Sequence, residues 1–338
     1  MRATLYTGNK TFSIVERQME KPRADEVRIK VAYTGVCGTD VHIYHGMMDK
    51  RVPIPMTIGH EMSGTVDAIG EEVSGYTVGD KVVVRPLDDR GAQPSDKGFN
   101  HICENLKFIG IDSPGSMQQY WNVPAFTLHK LKGETDLKLA ALIEPLSVAV
   151  HDVRLSGLKS GETAVVIGGG PIGLLVAMVA KHAGARVIVS EVNEKRILKA
   201  KELGLNAINP TKVDFVEYVK EKTEGRRADV VFEVAGVQPA LDMMTEVAGI
   251  RGRILMVAIH GQKREVDLFK FFWKELKLIG ARVYEREDYE RAITLITANE
   301  LPFANMITDV QPLSNIQKVF ENIDQNPDGM KILMDCQL

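Results

Sequence analysis

The sequence is poor in cysteine, in tryptophan and in surplus charge of either sign. Its three cysteines, Cys37, Cys103 and Cys336, are too few and odd in number for a disulfide framework. They point to a reducing compartment, and a cytoplasmic location is expected. Forty-two basic residues face 45 acidic ones, a net charge of −3. No basic excess is left over for nucleic acid or an anionic membrane. The N-terminal Met1-Arg2-Ala3-Thr4 leads into mixed polar sequence without the apolar stretch of a secretion signal. The longest uncharged run, Ala164 to Ala180, holds four glycines and a proline, so it reads as strand, turn and buried helix rather than a membrane span. Internal repeats and low-complexity linkers are lacking as well.

What is present is a chain of 338 residues, long enough for two domains. The first third reads as β. Val27, Ile29 and Val31 alternate with Arg28 and Lys30, and short apolar runs follow at Met62–Ile69 and Lys81–Arg85. Beyond Glu144 the pattern changes to alternating strand and helix. Strands are expected at Thr163–Ile167, Arg186–Ser190, Asp229–Val234 and Arg253–Ala258, with helices at Leu174–Ala183, Asn193–Leu203 and Pro239–Ala248. That alternation predicts a doubly wound parallel sheet, and the fold class is α/β. A helix at Ser314–Asn326 and a strand at Met330–Asp335 close the chain.

Gly168, Gly170 and Gly173 form G-x-G-x-x-G between the first of these strands and the helix after it. The glycines permit a tight turn, a close approach of backbone to pyrophosphate, and packing of helix on strand. Pro171 and Ile172 complete the loop, whose helix N-terminus offers amides and a positive dipole end to phosphate. Glu191 ends the next strand, where an acid accepts both ribose hydroxyls and repels a 2′-phosphate. NAD is therefore favoured over NADP, with Arg196 and Lys195 close enough to soften that preference.

Four further residues have the chemistry of metal ligands: Cys37, His60, Glu61 and Glu144. Their spacing is unlike a zinc finger but suits a catalytic site, which gathers ligands from distant loops. Sulfur, nitrogen and oxygen donors together suit zinc. Taken alone, these four fit a metal hydrolase as well as a dehydrogenase; the nucleotide half of the chain tips the balance.

Five motifs in order carry a resemblance over essentially the whole length: Gly35-Val36-Cys37-Gly38-Thr39-Asp40, Gly59-His60-Glu61, Gly79-Asp80-Lys81-Val82, Glu144-Pro145-Leu146-Ser147 and Gly168 to Gly173. The chain resembles the zinc-containing medium-chain dehydrogenase/reductases, closest to the branch of sorbitol, 2,3-butanediol and threonine dehydrogenases. The resemblance implies a GroES-like catalytic domain from residues 1–143 and 284–338 around a Rossmann NAD-binding domain of residues 144–283. It implies catalytic zinc on Cys37 and His60, with Glu61 and Glu144 completing the shell directly or through water. Thr39 matches a proton-relay hydroxyl, with a helix cap as the lesser reading, and His42 matches the outer relay histidine. Asp40 is read as structural. Arg282 matches an arginine lining a polyol pocket.

One departure stands out. Relatives with a structural zinc carry four cysteines in a loop where this chain has Asp89, Ala92, Ser95 and Cys103. One zinc per subunit is therefore expected. The implied reaction is NAD-dependent oxidation of a polyol, sugar derivative or vicinal diol to a ketone. A threonine-like amino alcohol is the rival substrate, and a zinc-independent reductase or a non-catalytic NAD-binding protein are the remoter alternatives. The partners expected are a small-molecule substrate and further copies of the chain, as a homotetramer or a dimer; the Phe269–Trp273 aromatic cluster is a candidate interface. His45, His101, His129, His151, His182 and His260 are read as ordinary histidines, with His260 placed near the nicotinamide.

Overall fold

A computed structural model describes residues 1–326 and 328–338. The chain divides into two compact units, Met1–Glu144 with Glu285–Leu338, and Pro145–Tyr284. Each boundary lies one residue beyond the expected one.

The first unit starts with β1 (Arg2–Tyr6), β2 (Phe12–Glu16) and β3 (Glu26–Gly35), then α1 (Gly38–Tyr44), β4 (Glu61–Ile69), β5 (Lys81–Val84), β6 (Leu87–Asp88), β7 (Lys107–Phe108), β8 (Tyr120–Pro124), β9 (Leu128–Lys130), α2 (Leu137–Ala140) and the start of α3 (Ile143–Leu155). The second unit holds β10 (Thr163–Ile167), α4 (Pro171–His182), β11 (Arg186–Ser190), α5 (Glu194–Glu202), β12 (Asn206–Ile208), α6 (Phe215–Lys222), β13 (Ala228–Glu233), α7 (Gln238–Val247), β14 (Ala248–Met256), α8 (Leu268–Lys274) and β15 (Lys277–Gly280). The chain then returns to the first unit with α9 (Arg286–Ala298), β16 (Ile307–Pro312), α10 (Ile316–Gln325) and β17 (Lys331–Asp335).

In the first unit a seven-stranded sheet runs β16-β17-β3-β4-β5-β9, with β8 also paired to β3. Residues from both ends of the chain thus share one sheet. An aromatic cluster of Tyr6, Phe12, Tyr44 and Phe320 fastens β1, β2, α1 and α10 together, with ring centroids 4.7–6.1 Å apart. In the second unit six parallel strands run β12-β11-β10-β13-β14-β15. β10 is buried along its whole length, as a central parallel strand covered on both faces must be. Its core packs Val165, Ile188, Val231 and Ile254 against Phe215, Leu241 and Met244 of the covering helices.

Two expectations are corrected. The first third is not wholly β, because α1 is a helix of seven residues. And α4 begins at Pro171 rather than Leu174, since proline at the first helical position loses no hydrogen bond the helix needs.

Candidate active site

The ends of three adjacent strands build the metal-capable cluster. Gly35 at the end of β3 pairs with Glu61 at the start of β4 and, on its other side, with Leu333 of β17. A side chain at position 35 would collide with the Glu61 carboxylate, its Cβ falling 2.2 Å from Oε2. Glycine is needed there for Glu61 to stand where it does. Two residues past β3, Cys37 caps α1, and its N–H donates to Asp40 Oδ2 at 2.9 Å. His60 directly precedes β4 and packs edge-on against the Phe108 ring at 5.2 Å. One ligand atom each from Cys37, His60 and Glu61 lie within 4.8 Å of one another, with His60 and Glu61 fully enclosed.

The surroundings of this cluster are strongly anionic. Burial works to lower the His60 pKa, yet Asp40, Cys37 and Glu144 pull it up to about 10. His60 Nδ1 faces Asp40 Oδ1 at 3.6 Å, beyond hydrogen-bond reach. Burial raises the pKa of Asp40 itself, and His60 opposes that shift. Across the cluster, Lys331 of β17 donates from Nζ to Glu61 Oε2 and to the carbonyl of Val36 at 3.2 Å. Burial tends to strip this ammonium of its proton, but Glu61 and Cys37 hold its pKa above the ordinary value. Three buried polar atoms around the cluster, Asp40 Oδ1, His60 Nδ1 and Glu61 Oε1, have no hydrogen-bond partner among the described residues. Native interiors seldom leave such atoms unmatched. A thiolate, an imidazole and a carboxylate around a focus of negative potential fit zinc.

Of the four ligands expected from sequence, three come together. Glu144, at the start of α3 and buried, lies outside the 4.8 Å set and acts on His60 and Lys331 through its charge. Thr39 is half-buried at the second position of α1, so Cys37 rather than Thr39 is the cap. His42 is exposed, three residues along the same helix face. Arg282 is exposed between β15 and α9. Sequence reasoning missed Lys331, which lies 270 residues from Glu61, and took Asp40 only as structural.

The loop where the structural zinc of relatives would sit is held by side chains instead. β6 and β7 pair, the Arg90 guanidinium makes two hydrogen bonds to Asp88 at 2.9 and 2.7 Å, and Asp96 accepts the N–H groups of Gln93 and Glu104. Neither Asp89 nor Cys103 joins a metal-capable cluster among the described residues.

In the second unit Gly168 takes φ +110°, a conformation suited to glycine, and its N–H donates to the Ser190 carbonyl. Gly170 caps α4, Pro171 follows at the first helical position, and Ile172 is half-buried. A Cβ on Gly173 would stand 1.9 Å from the Gly168 carbonyl oxygen, so helix and loop touch backbone to backbone. Glu191 ends beside the loop; its Oε2 accepts from Gly169 N–H at 2.7 Å and its Oε1 from Val192 and Asn193 N–H. The Arg196 guanidinium stands 4.0 Å from Glu191 Oε2, next to Gly170. The N-terminal amides of α4, which a helix cannot satisfy internally, with an acid just past β11 fit a dinucleotide.

A parallel nucleotide-type sheet and a buried S, N, O donor cluster define a metal-dependent oxidoreductase. Residues 23–133 match the alcohol dehydrogenase GroES-like domain and 171–298 the zinc-binding dehydrogenase domain. The chain is 57% identical over 99% of both chains to a 2-dehydro-3-deoxy-L-galactonate 5-dehydrogenase of Pseudoalteromonas atlantica. It is 33% identical, again over 99% of both, to a sorbitol dehydrogenase of Halalkalibacterium halodurans. Its structure superposes on 2R,3R-butanediol dehydrogenase from Bacillus subtilis with a TM-score of 0.92, at 32% identity over 99% of each chain. The chain belongs to the zinc-containing medium-chain dehydrogenase/reductases. It is a zinc- and nicotinamide-dependent dehydrogenase of the polyol and diol type.

Proposed function

We propose that the chain oxidises a secondary hydroxyl of a 2-keto-3-deoxy sugar acid, with NAD+ preferred over NADP+. The substrate class rests on the full-length likeness to the galactonate dehydrogenase. The observation that carries the chemistry is the buried Cys37, His60 and Glu61 cluster with its unmatched polar atoms. When bound, zinc supplies Lewis acidity toward the substrate hydroxyl and the nicotinamide supplies the hydride acceptor.

The chain's own residues do the rest. Cys37, His60 and Glu61 would hold the metal, and Glu144 would complete the shell directly or through water while adding negative charge. Asp40 orients the His60 ring. Lys331 occupies one Glu61 oxygen and leaves the other free for the metal. Thr39 accepts the substrate proton, and His42 passes it to water from the exposed face of α1. Gly168, Gly170 and Gly173 admit the pyrophosphate, with Pro171 and Ile172 completing the loop. Glu191 takes the ribose hydroxyls, Arg196 adds positive charge beside the phosphates, and Arg282 contacts the substrate.

Self-association belongs to the same reading. β15 is an edge strand, and beside it α8 exposes Phe269, Phe272 and Trp273, 66–77% accessible. A second copy pairing along β15 would cover both the open edge and the rings. A dimer built this way doubles to the expected tetramer. Light scattering should give a multiple of the chain mass for the wild type and a smaller species for Trp273→Glu. No helix is long and apolar enough to cross a membrane among the described residues; the cytoplasmic placement rests on the sparse, odd set of cysteines.

The deciding experiment is NADH formation across 2-keto-3-deoxy aldonates, sorbitol, 2,3-butanediol and L-threonine, before and after chelation. The sugar acid should react fastest, and chelation should abolish the rate. A preference for L-threonine would overturn the substrate assignment; a chelator-resistant rate would overturn the metal's role.

A further inference from the structure

Glu233 is the last residue of β13 and is fully buried. Its side chain and backbone bind two loops at once. Oε1 accepts from Ala235 N–H at 3.0 Å and Gly236 N–H at 2.7 Å, which fixes the turn into α7. The Glu233 carbonyl accepts from Val257 and Ala258 N–H at 2.9 and 3.0 Å, and Oε2 meets His260 Nε2 at 3.1 Å. These fix the loop that leaves β14. A carboxylate facing Nε2 is an acceptor only, so the proton of the neutral ring sits on Nε2 and Nδ1 is left as an acceptor. Nδ1 is buried and has no hydrogen-bond partner among the described residues.

The position of this pair in the sheet gives Nδ1 a role. Gly168 and the α4 N-terminus follow β10, and Glu191 directly follows β11 on one side of it. β13 and β14 lie on the other side, and a Cβ on Gly168 would stand 3.1 Å from Ala235 N. A dinucleotide crossing the carboxyl ends of these strands, with its pyrophosphate at Gly168–Gly173 and its adenosine ribose at Glu191, sends its other half over β13 and β14. The donors on that half are the carboxamide NH2 and the ribose hydroxyls.

We propose that His260, locked by Glu233, accepts a hydrogen bond through Nδ1 from the nicotinamide riboside half of the cofactor. Glu233 is the positioning residue: it sets the tautomer and holds both loops. The inference rests on the NAD reading above and adds a side-chain contact to it.

The test is titration calorimetry of the zinc-loaded enzyme with NADH and with ADP, which lacks the nicotinamide riboside. His260→Ala should weaken NADH about tenfold, the size of one hydrogen bond, and leave ADP within about twofold. His260→Asn, whose amide oxygen stands near the place of Nδ1, should recover most of the loss. Glu233→Gln should weaken NADH more than ADP, because its amide can donate to the ring and reverse the tautomer. Equal losses for NADH and ADP in His260→Ala would reduce the pair to loop support and overturn the proposal. So would unchanged NADH binding in that variant while the wild type binds normally. A wild type that binds neither ligand would overturn the NAD reading itself.

Discussion

Asp40 touches two of the residues on which the metal cluster depends, holding the Cys37 N–H with one oxygen and facing the His60 ring with the other. Asp40→Asn keeps the shape and can keep the cap while removing the charge. Zinc affinity should fall roughly 10–100-fold, as losses around ligating histidines do, measured by competition with a chromophoric chelator. Thr39→Val should behave differently. It should keep full zinc and lose turnover by roughly 10²–10⁴-fold, because only proton transfer is cut; full activity in that variant would remove Thr39 from the relay. Cys37, His60 and Glu61 were legible because each sits in a short glycine-containing motif, and at Gly35 and Gly59 a side chain would run into Glu61 and Met117. Lys331 carried no such signal. It meets Glu61 only because β17 returns from the far end of the chain to lie beside β3.

At the scale of elements, the four inner strands β10, β11, β13 and β14 could be read from sequence, because parallel strands buried on both faces are unbroken apolar runs; the edge strands β12, three residues long, and β15, largely exposed, carried no such run and were missed. The exceptions have local causes. Gly-Gly-Pro reads as loop, which hid the first turn of α4, and α1 is too short for its period to emerge from flanking strand sequence. His129 was also unreadable as anything special. It sits on β9 with 4% exposure, bonded to Glu290 of α9 at 2.7 Å and packed on the Tyr289 ring. Burial drives its pKa down to about 4, against the pull of Glu290 and with help from Arg286 and Arg85. Below pH 6.5 the unfolded chain takes up a proton that the folded chain refuses until about pH 4, so stability present above pH 6.5 drains away across that window. The loss amounts to at most about 3 kcal/mol. Between pH 6.5 and 4.5 the wild-type Tm should fall more than that of His129→Gln, by roughly 5 °C; equal slopes would remove His129 as a cause of acid sensitivity.

At the scale of the molecule, the two units keep their duties apart: donor residues at the strand ends of one sheet, dinucleotide-type turns at the strand ends of the other. The motifs made that division legible, but they said little about what replaces the missing cysteines. The structure answers with Arg90, Asp88 and Asp96. Elemental analysis should find one tightly held zinc per chain, and two would contradict that count. Chelation should abolish turnover while leaving far-UV circular dichroism unchanged.

The loop between β6 and β7 has a practical corollary. A loop pinned by a strand pair and by Asp96 on the N–H groups of Gln93 and Glu104 needs no metal to hold its turns, so an emptied chain waits as a refillable vessel rather than a casualty. Cobalt could be loaded in place of zinc without unfolding the protein, turning the colourless centre into an optical reporter of what binds beside Cys37.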